Sequence, residues 1–128
     1  MIEVYIDGAS AGNPGLSGAG IFIKGAGRQQ QHAIPLGMMN NQEAEFSALL
    51  TALHICIENQ FKTVSFRTDS DIVAKAVENG YVRNEQFKPF LSEALELIKQ
   101  FDLFFIKWIP GNQNKTADKL AREAIQKQ

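Results

Sequence analysis

The sequence predicts an α/β fold: a mixed five-stranded sheet, with an antiparallel three-stranded meander followed by parallel crossovers, flanked by helices. Three observations lead there. The first third holds β-rich segments joined by glycine-rich turns, and the remainder alternates strand-like apolar runs with amphipathic helical ones. Successive strands separated by a helix pair in parallel through a crossover, so the later strands should return alongside the first. The length of 128 residues is about one ordinary domain, and neither linker, internal repeat nor low-complexity tract divides it, so residues 1–128 read as a single domain.

The first strand runs from Ile2 to Asp7, where Ile2, Val4, Tyr5 and Ile6 favour extended backbone, and a turn-rich run from Gly8 to Gly18 follows. Gly20 to Lys24 and about Gln30 to Leu36 are the next two strands, joined as a hairpin through Gly25-Ala26-Gly27. A helix is expected from about Glu43 to Glu58. There Phe46, Leu49, Leu50, Leu53 and Ile57 recur at helical spacing, with Asn40, Asn41 and Gln42 ahead of them as capping candidates. Val64 to Thr68 is a short strand with Val64 and Phe66 on one face. Ile72, Val73, Ala76 and Val77 then mark a brief helix stopped at Asn79-Gly80. Another helix spans about Pro89 to Gln100. Leu103 to Ile109, dense in β-branched and aromatic residues, predicts a buried strand with Trp108 in the core, and Asn114 stands where it can cap a last helix, Lys115 to Gln126.

A hydrophobic fraction of 45% and a charged fraction of 21% exclude disordered and fibrous classes. Cys56 is the one cysteine, which excludes an internal disulfide; with only His32 and His54 beside it, soft ligands are too few for structural zinc. No basic stretch leads into an apolar run at the amino terminus, and no segment approaches the ~18 apolar residues of a membrane span, so a cytoplasmic protein without membrane contact is expected. A net charge of −1 confines any nucleic-acid surface to a local patch. The glycine-rich run from Gly8 to Gly15 lacks the Lys-Ser/Thr ending of a P-loop, and no Gly-x-Ser-x-Gly elbow accompanies a serine nucleophile.

Four acids stand at the ends of expected elements. Asp7 closes the first strand, Glu45 opens the long helix, Asp69 closes the fourth strand and Asp118 lies in the first turn of the last helix. Sites in open sheets with crossovers form beyond the carboxyl ends of the strands, so all four can converge. Each alone has an ordinary structural use, as a turn former or a partner of the helix dipole. Together they repel, by about 4 kcal/mol per pair at ~4 Å and an effective dielectric near ~20, and such a cluster calls for a cation or raised pKa values. All-oxygen ligation suits Mg²⁺ or Mn²⁺.

Tyr5-Ile6-Asp7-Gly8-Ala9-Ser10 with Gly12-Asn13-Pro14-Gly15, Asn41-Gln42-Glu43-Ala44-Glu45, Thr68-Asp69-Ser70, and Asn114-Lys115-Thr116-Ala117-Asp118-Lys119-Leu120-Ala121 occur in that order. They resemble the four sequence blocks of type 1 ribonuclease H, in the compact bacterial or archaeal form, over about Ile2 to Arg122. The resemblance implies the ribonuclease H fold and a catalytic, metal-binding quartet of Asp7, Glu45, Asp69 and Asp118. It further implies a two-metal-ion endonuclease that cuts the RNA strand of RNA–DNA hybrids with Mg²⁺, Mn²⁺ being an alternative. Asn13, Asn41 and Gln42 sit where the family contacts ribose 2′-hydroxyls, which amides suit because they both donate and accept. A monomer is the expected state.

Three departures stand out: no hydroxyl precedes the Asn41-Gln42 pair, Asp71 follows Asp69-Ser70 where an amide is common, and the loop Pro110 to Asn114 lacks the histidine many members carry. The basic helix-loop of some members is absent as well, since Gly80 to Gln86 is short and holds only Arg83. The alternative these departures leave open is a catalytically weak or silent hybrid-binding module of the same fold.

Overall fold

Short connections force the first three strands to pair antiparallel, and helical connections return the last two in parallel. A computed structural model describes residues 1–128 as β1 (Ile2–Ser10), β2 (Gly15–Gly25), β3 (Arg28–Met39), α1 (Asn41–Glu58), β4 (Thr63–Thr68), α2 (Asp71–Asn79), α3 (Lys88–Ile98), β5 (Leu103–Trp108) and α4 (Lys115–Gln126). Single 3-10 turns lie at Glu85–Phe87 and Gly111–Gln113. The sheet order is β3-β2-β1-β4-β5, with β1 and β3 antiparallel to β2, and β4 parallel to both β1 and β5. This is the mixed five-stranded sheet that the sequence predicts.

The hairpin between β2 and β3 turns through Ala26 and Gly27, both at positive φ (53° and 73°), the backbone of the tight turn that matches strand twist. The preceding connection is shorter than the sequence suggests. Gly8, Ala9 and Ser10 continue β1 and pair with Ala19, Gly18 and Ser17, so the turn shrinks to residues 11–14. Glycines in this stretch serve packing rather than turning. A Cβ on Gly8 would overlap the Ala44 carbonyl of α1, and one on Gly20 the Ala117 carbonyl of α4. Helices therefore press directly on the backbones of β1 and β2, from opposite faces.

On one face α1 buries Phe46, Leu49 and Leu53 against Val4, Ile6, Val64 and Phe66, and α3 adds Leu91 and Ala94. A capping box starts α1: Asn40 Oδ1 accepts from Glu43 N (2.8 Å) and Glu43 Oε1 accepts from Asn40 N (2.9 Å). Ser70 caps α2 through Val73 N, and Gly80 ends it in the left-handed conformation. On the other face α4 covers β2 and part of β1.

The buried strand expected at Leu103–Ile109 is corrected here. Leu103, Phe105 and Trp108 are 51%, 51% and 50% exposed, Phe104 and Ile106 pack partly buried against the core, and only Ile109, just past the strand, is buried. The reason is position: β5 is the edge strand, and α4 does not extend over the far face that Leu103 and Phe105 occupy. Apolar composition reports extended backbone, not coverage. No helix is long and apolar enough to cross a membrane.

Candidate active site

Parallel register creates the site. The last ladder pair of β1 and β4 is Ile6 with Thr68, so Asp7, still paired with Gly20 of β2, and Asp69, the first residue past β4, stand side by side where the two strands part. The close approach of α1 over Gly8 brings Glu45 to the same point, where its Oε1 accepts a 2.7 Å hydrogen bond from Gly8 N. Carboxylate oxygens of Asp7, Glu45 and Asp69 lie within 4.8 Å of one another. Glu43, two residues earlier, is occupied by the capping box and takes no part. Asp118, in the first turn of α4, lies outside that group but within hydrogen-bonding reach of Asp7, whose pKa it raises through that contact and its charge, while its own Oδ1 accepts from Arg122 Nε at 3.3 Å.

Asp7 is 6% exposed. Burial, then the charges of Glu45 and Asp69, push its pKa far above the carboxylate range. Glu45 is raised too, by burial and the charge of Asp69, against the opposing pull of the Gly8 N–H. Without a counterion the pair therefore keeps a proton that ordinary carboxylates would release. A hard divalent cation fits this donor set. The ligand atoms are all oxygen, their spacing lets one ion touch several, and its charge removes the repulsion that raises both pKa values. Of the other reactive groups, Cys56 is buried away from the cluster, and burial pushes its thiol up to about 12.

The loop between β5 and α4 closes over Asp69. Trp108, expected in the core, instead lies beside the site and donates from Nε1 to the Asp69 carbonyl (3.1 Å). Asn114, expected to cap α4, occupies the cap position without making a side-chain cap bond. Its Nδ2 donates to the Ile6 carbonyl (2.9 Å) and to Asp69 Oδ1 (3.3 Å). Sequence reasoning missed this because an asparagine before a helix has the same pattern whichever partner it takes. A Cβ on Gly111 would meet Asp69 Oδ2 at 3.3 Å, so the loop also bounds the other oxygen.

Asn13, Asn41 and Gln42 are exposed, the first in the 11–14 turn and the others in the first turn of α1. Because Asn40 does the capping, the amides of Asn41 and Gln42 are free to meet a ligand. Asp71 pairs with Lys75 across one turn of α2 (3.0 Å). His54 is exposed on α1, and His32 sits in β3 with its Nε2 at 2.9 Å from Gln30 Oε1. Neither histidine joins the carboxylates.

A reverse transcriptase-like family model matches residues 6–124. The Enterococcus faecalis protein EbsB, provisionally named a hydrolase, is 46% identical over 99% of this chain and 96% of its own length. Ribonuclease HI of Halobacterium salinarum is 32% identical over 97% of this chain, which spans 64% of that relative's length. The crystal structure of RNase H1 from Halobacterium salinarum superposes with a TM-score of 0.92 at 32% identity, covering 99% of this chain and 98% of the other. LC11-RNase H1, from a compost metagenome and solved with an RNA/DNA hybrid, gives 0.90 at 26% identity over 99% and 98% of the two chains.

Proposed function

Because this chain belongs to the type 1 ribonuclease H family, we propose that its residues 1–128 act as one domain that hydrolyses the RNA strand of RNA–DNA hybrids, in the cytoplasm and as a monomer. The observation that carries this is the meeting of Asp7, Glu45 and Asp69 where β1, β4 and α1 converge, in a family whose solved members include one holding a hybrid. Asp7, Glu45, Asp69 and Asp118 would hold two divalent ions, magnesium or manganese, whose chemistry is to activate a water and stabilise the leaving oxygen of a phosphodiester.

The chain's own groups prepare that chemistry. The Gly8 N–H fixes one oxygen of Glu45 and leaves the other available. The Trp108 indole anchors the backbone of Asp69, and burial of Asp7 keeps bulk water from competing for its carboxylate. Asn13, Asn41 and Gln42 bind ribose 2′-hydroxyls as donor and acceptor at once, the feature that separates RNA from DNA. Incubation with a labelled hybrid and Mg²⁺ or Mn²⁺, beside duplex DNA and duplex RNA, tests the proposal. Cleavage of the hybrid's RNA strand alone is expected, whereas salt-sensitive binding without cleavage would make the chain a binding module.

Two further outcomes follow from residues around the site. Asp71→Gln removes a carboxylate beside the proposed substrate path and frees Lys75, while the lost exposed ion pair was worth little. Hybrid affinity in Ca²⁺ is expected to tighten about fivefold, ~1 kcal/mol. Equal or weaker binding by the variant would show that Asp71 faces away from the hybrid. With no histidine at the site, the His32→Ala, His54→Ala double variant should keep its turnover within about twofold, and the wild-type pH–rate profile should lack an imidazole limb near ~6.5. A limb there that disappears in the double variant would overturn the placement of both rings.

A further inference from the structure

Asn114 is 1% exposed at the start of α4, and its side chain does something other than begin the helix. A capping asparagine accepts a backbone N–H from the first turn through its side-chain oxygen. Asn114 Oδ1 has no hydrogen-bond partner, although it is buried. Both protons of the amide are used instead, one on the carbonyl of Ile6, which immediately precedes Asp7, and one on Oδ1 of Asp69. The backbone carbonyl of the same residue accepts from Asp118 N at 3.1 Å. One side chain and its backbone thus touch β1 next to Asp7, Asp69 just past β4, and the backbone of Asp118 in the first turn of α4.

We propose that Asn114 is a positioning residue that fixes the carboxylate of Asp69 and the stretch of β1 that carries Asp7 for cation binding. The proposal rests on the metal-dependent ribonuclease reading of the site. Oδ1 of Asp69 is engaged by the amide, which restricts rotation of the carboxylate and so fixes how it is presented to a cation. Neither a serine nor an aspartate does this from the same backbone position. Serine is too short to span both acceptors, and aspartate, of the same shape, has no proton for either and adds a charge to the cluster. Leaving Oδ1 unsatisfied and forgoing the helix cap are both unfavourable, and their persistence together is what a positional demand for the two donors produces.

The test compares wild type, Asn114→Ala, Asp69→Asn and the double variant by Mn²⁺ calorimetry without substrate, by kcat and KM on a hybrid, and by metal-free melting temperature. Asn114→Ala is expected to weaken Mn²⁺ binding by tenfold or more and to lower kcat by about 10- to 100-fold with KM within twofold. In the Asp69→Asn background the same change should cost clearly less Mn²⁺ affinity than in wild type, because the carboxylate it orients is gone and only the contact to Ile6 is lost. Equal losses in both backgrounds would make Asn114 a general structural residue and overturn the proposal, as would no loss in the wild-type background. Should Asn114→Ala fail to fold, Asn114→Ser supplies a capping oxygen without reach to Asp69. A stable serine variant with the same Mn²⁺ loss supports the proposal, while wild-type Mn²⁺ binding by it, or its failure to fold, overturns it. Absence of Mn²⁺ binding by the wild type would overturn both this role and the ribonuclease reading; binding and cleavage unaffected by Asn114 would overturn this role alone.

Discussion

Asp7→Asn is expected to lower hybrid cleavage by at least about a thousandfold, some 4 kcal/mol of barrier, while raising the melting temperature of the metal-free protein. Both effects have one cause. Asp7 is the most buried of the clustered acids, and its pKa is raised by burial and by Glu45 and Asp69. The folded chain therefore holds protons that the unfolded chain has released from the ordinary carboxylate value near ~4 upward. With more protons bound in the folded state, stability falls as pH rises, by up to about 1.4 kcal/mol per pH unit for each retained proton, from that value through the raised pKa values of Asp7 and Glu45. Asparagine has no such proton to lose, so the variant's metal-free melting temperature should vary less with pH. Saturating Mg²⁺ should stabilise the wild type most at the high end of the range, where the carboxylates need no proton displaced, and the variant much less. Calorimetric scans at several pH values, with and without Mg²⁺, make the comparison. A wild-type melting temperature that rises with pH across this window in the absence of metal would contradict the raised pKa values, and near-normal cleavage by Asp7→Asn would remove it from the site.

How much of this was legible in the sequence differs from residue to residue. Strand and helix identities came from periodicity, and the sheet's mixed direction followed from connection lengths, because both are local properties. The ends of β1 and β2 were missed where glycine reads as a turn; Gly8 and Gly20 are there because helix backbones leave no room for a Cβ, a tertiary fact with no local signature. Trp108 and Phe105 looked buried because apolar strands usually are, while coverage depends on which strand lies at the edge. The acids stood out as a set through their positions at element ends and the family resemblance. Their unequal arrangement, with three close together and Asp118 at the margin beside Arg122, depends on the β1–β4 register and on side-chain rotamers. Asn114 carried the right signal for the wrong partner.

Gly8→Ala is expected to leave a folded protein that cleaves roughly a hundredfold more slowly, the scale of loss from about 1 Å of misplacement at a reacting centre. A single methyl group does this because its carbon would overlap the Ala44 carbonyl and crowd Glu45 N, so α1 must lift from β1 at the point where Gly8 N also holds Glu45 Oε1. Lifting the helix separates Glu45 from Asp7 and Asp69 and lengthens the hydrogen bond that orients it. The overpacking should cost about 1–3 kcal/mol of stability, visible as a lower melting temperature. Destabilisation alone does not explain such a rate loss, and Leu53→Ala separates the two effects. Leu53 is fully buried in the same helix, more than two turns beyond Glu45, and its truncation should cost about 2–5 kcal/mol while leaving the carboxylates in place. Assayed well below both melting temperatures, the leucine variant should keep kcat within about twofold of wild type, a barrier change of ~0.4 kcal/mol, while the glycine variant does not. Equal activity losses in the two variants would mean that cleavage tracks global stability; wild-type cleavage by Gly8→Ala would mean that the contact between α1 and β1 does not set the position of Glu45.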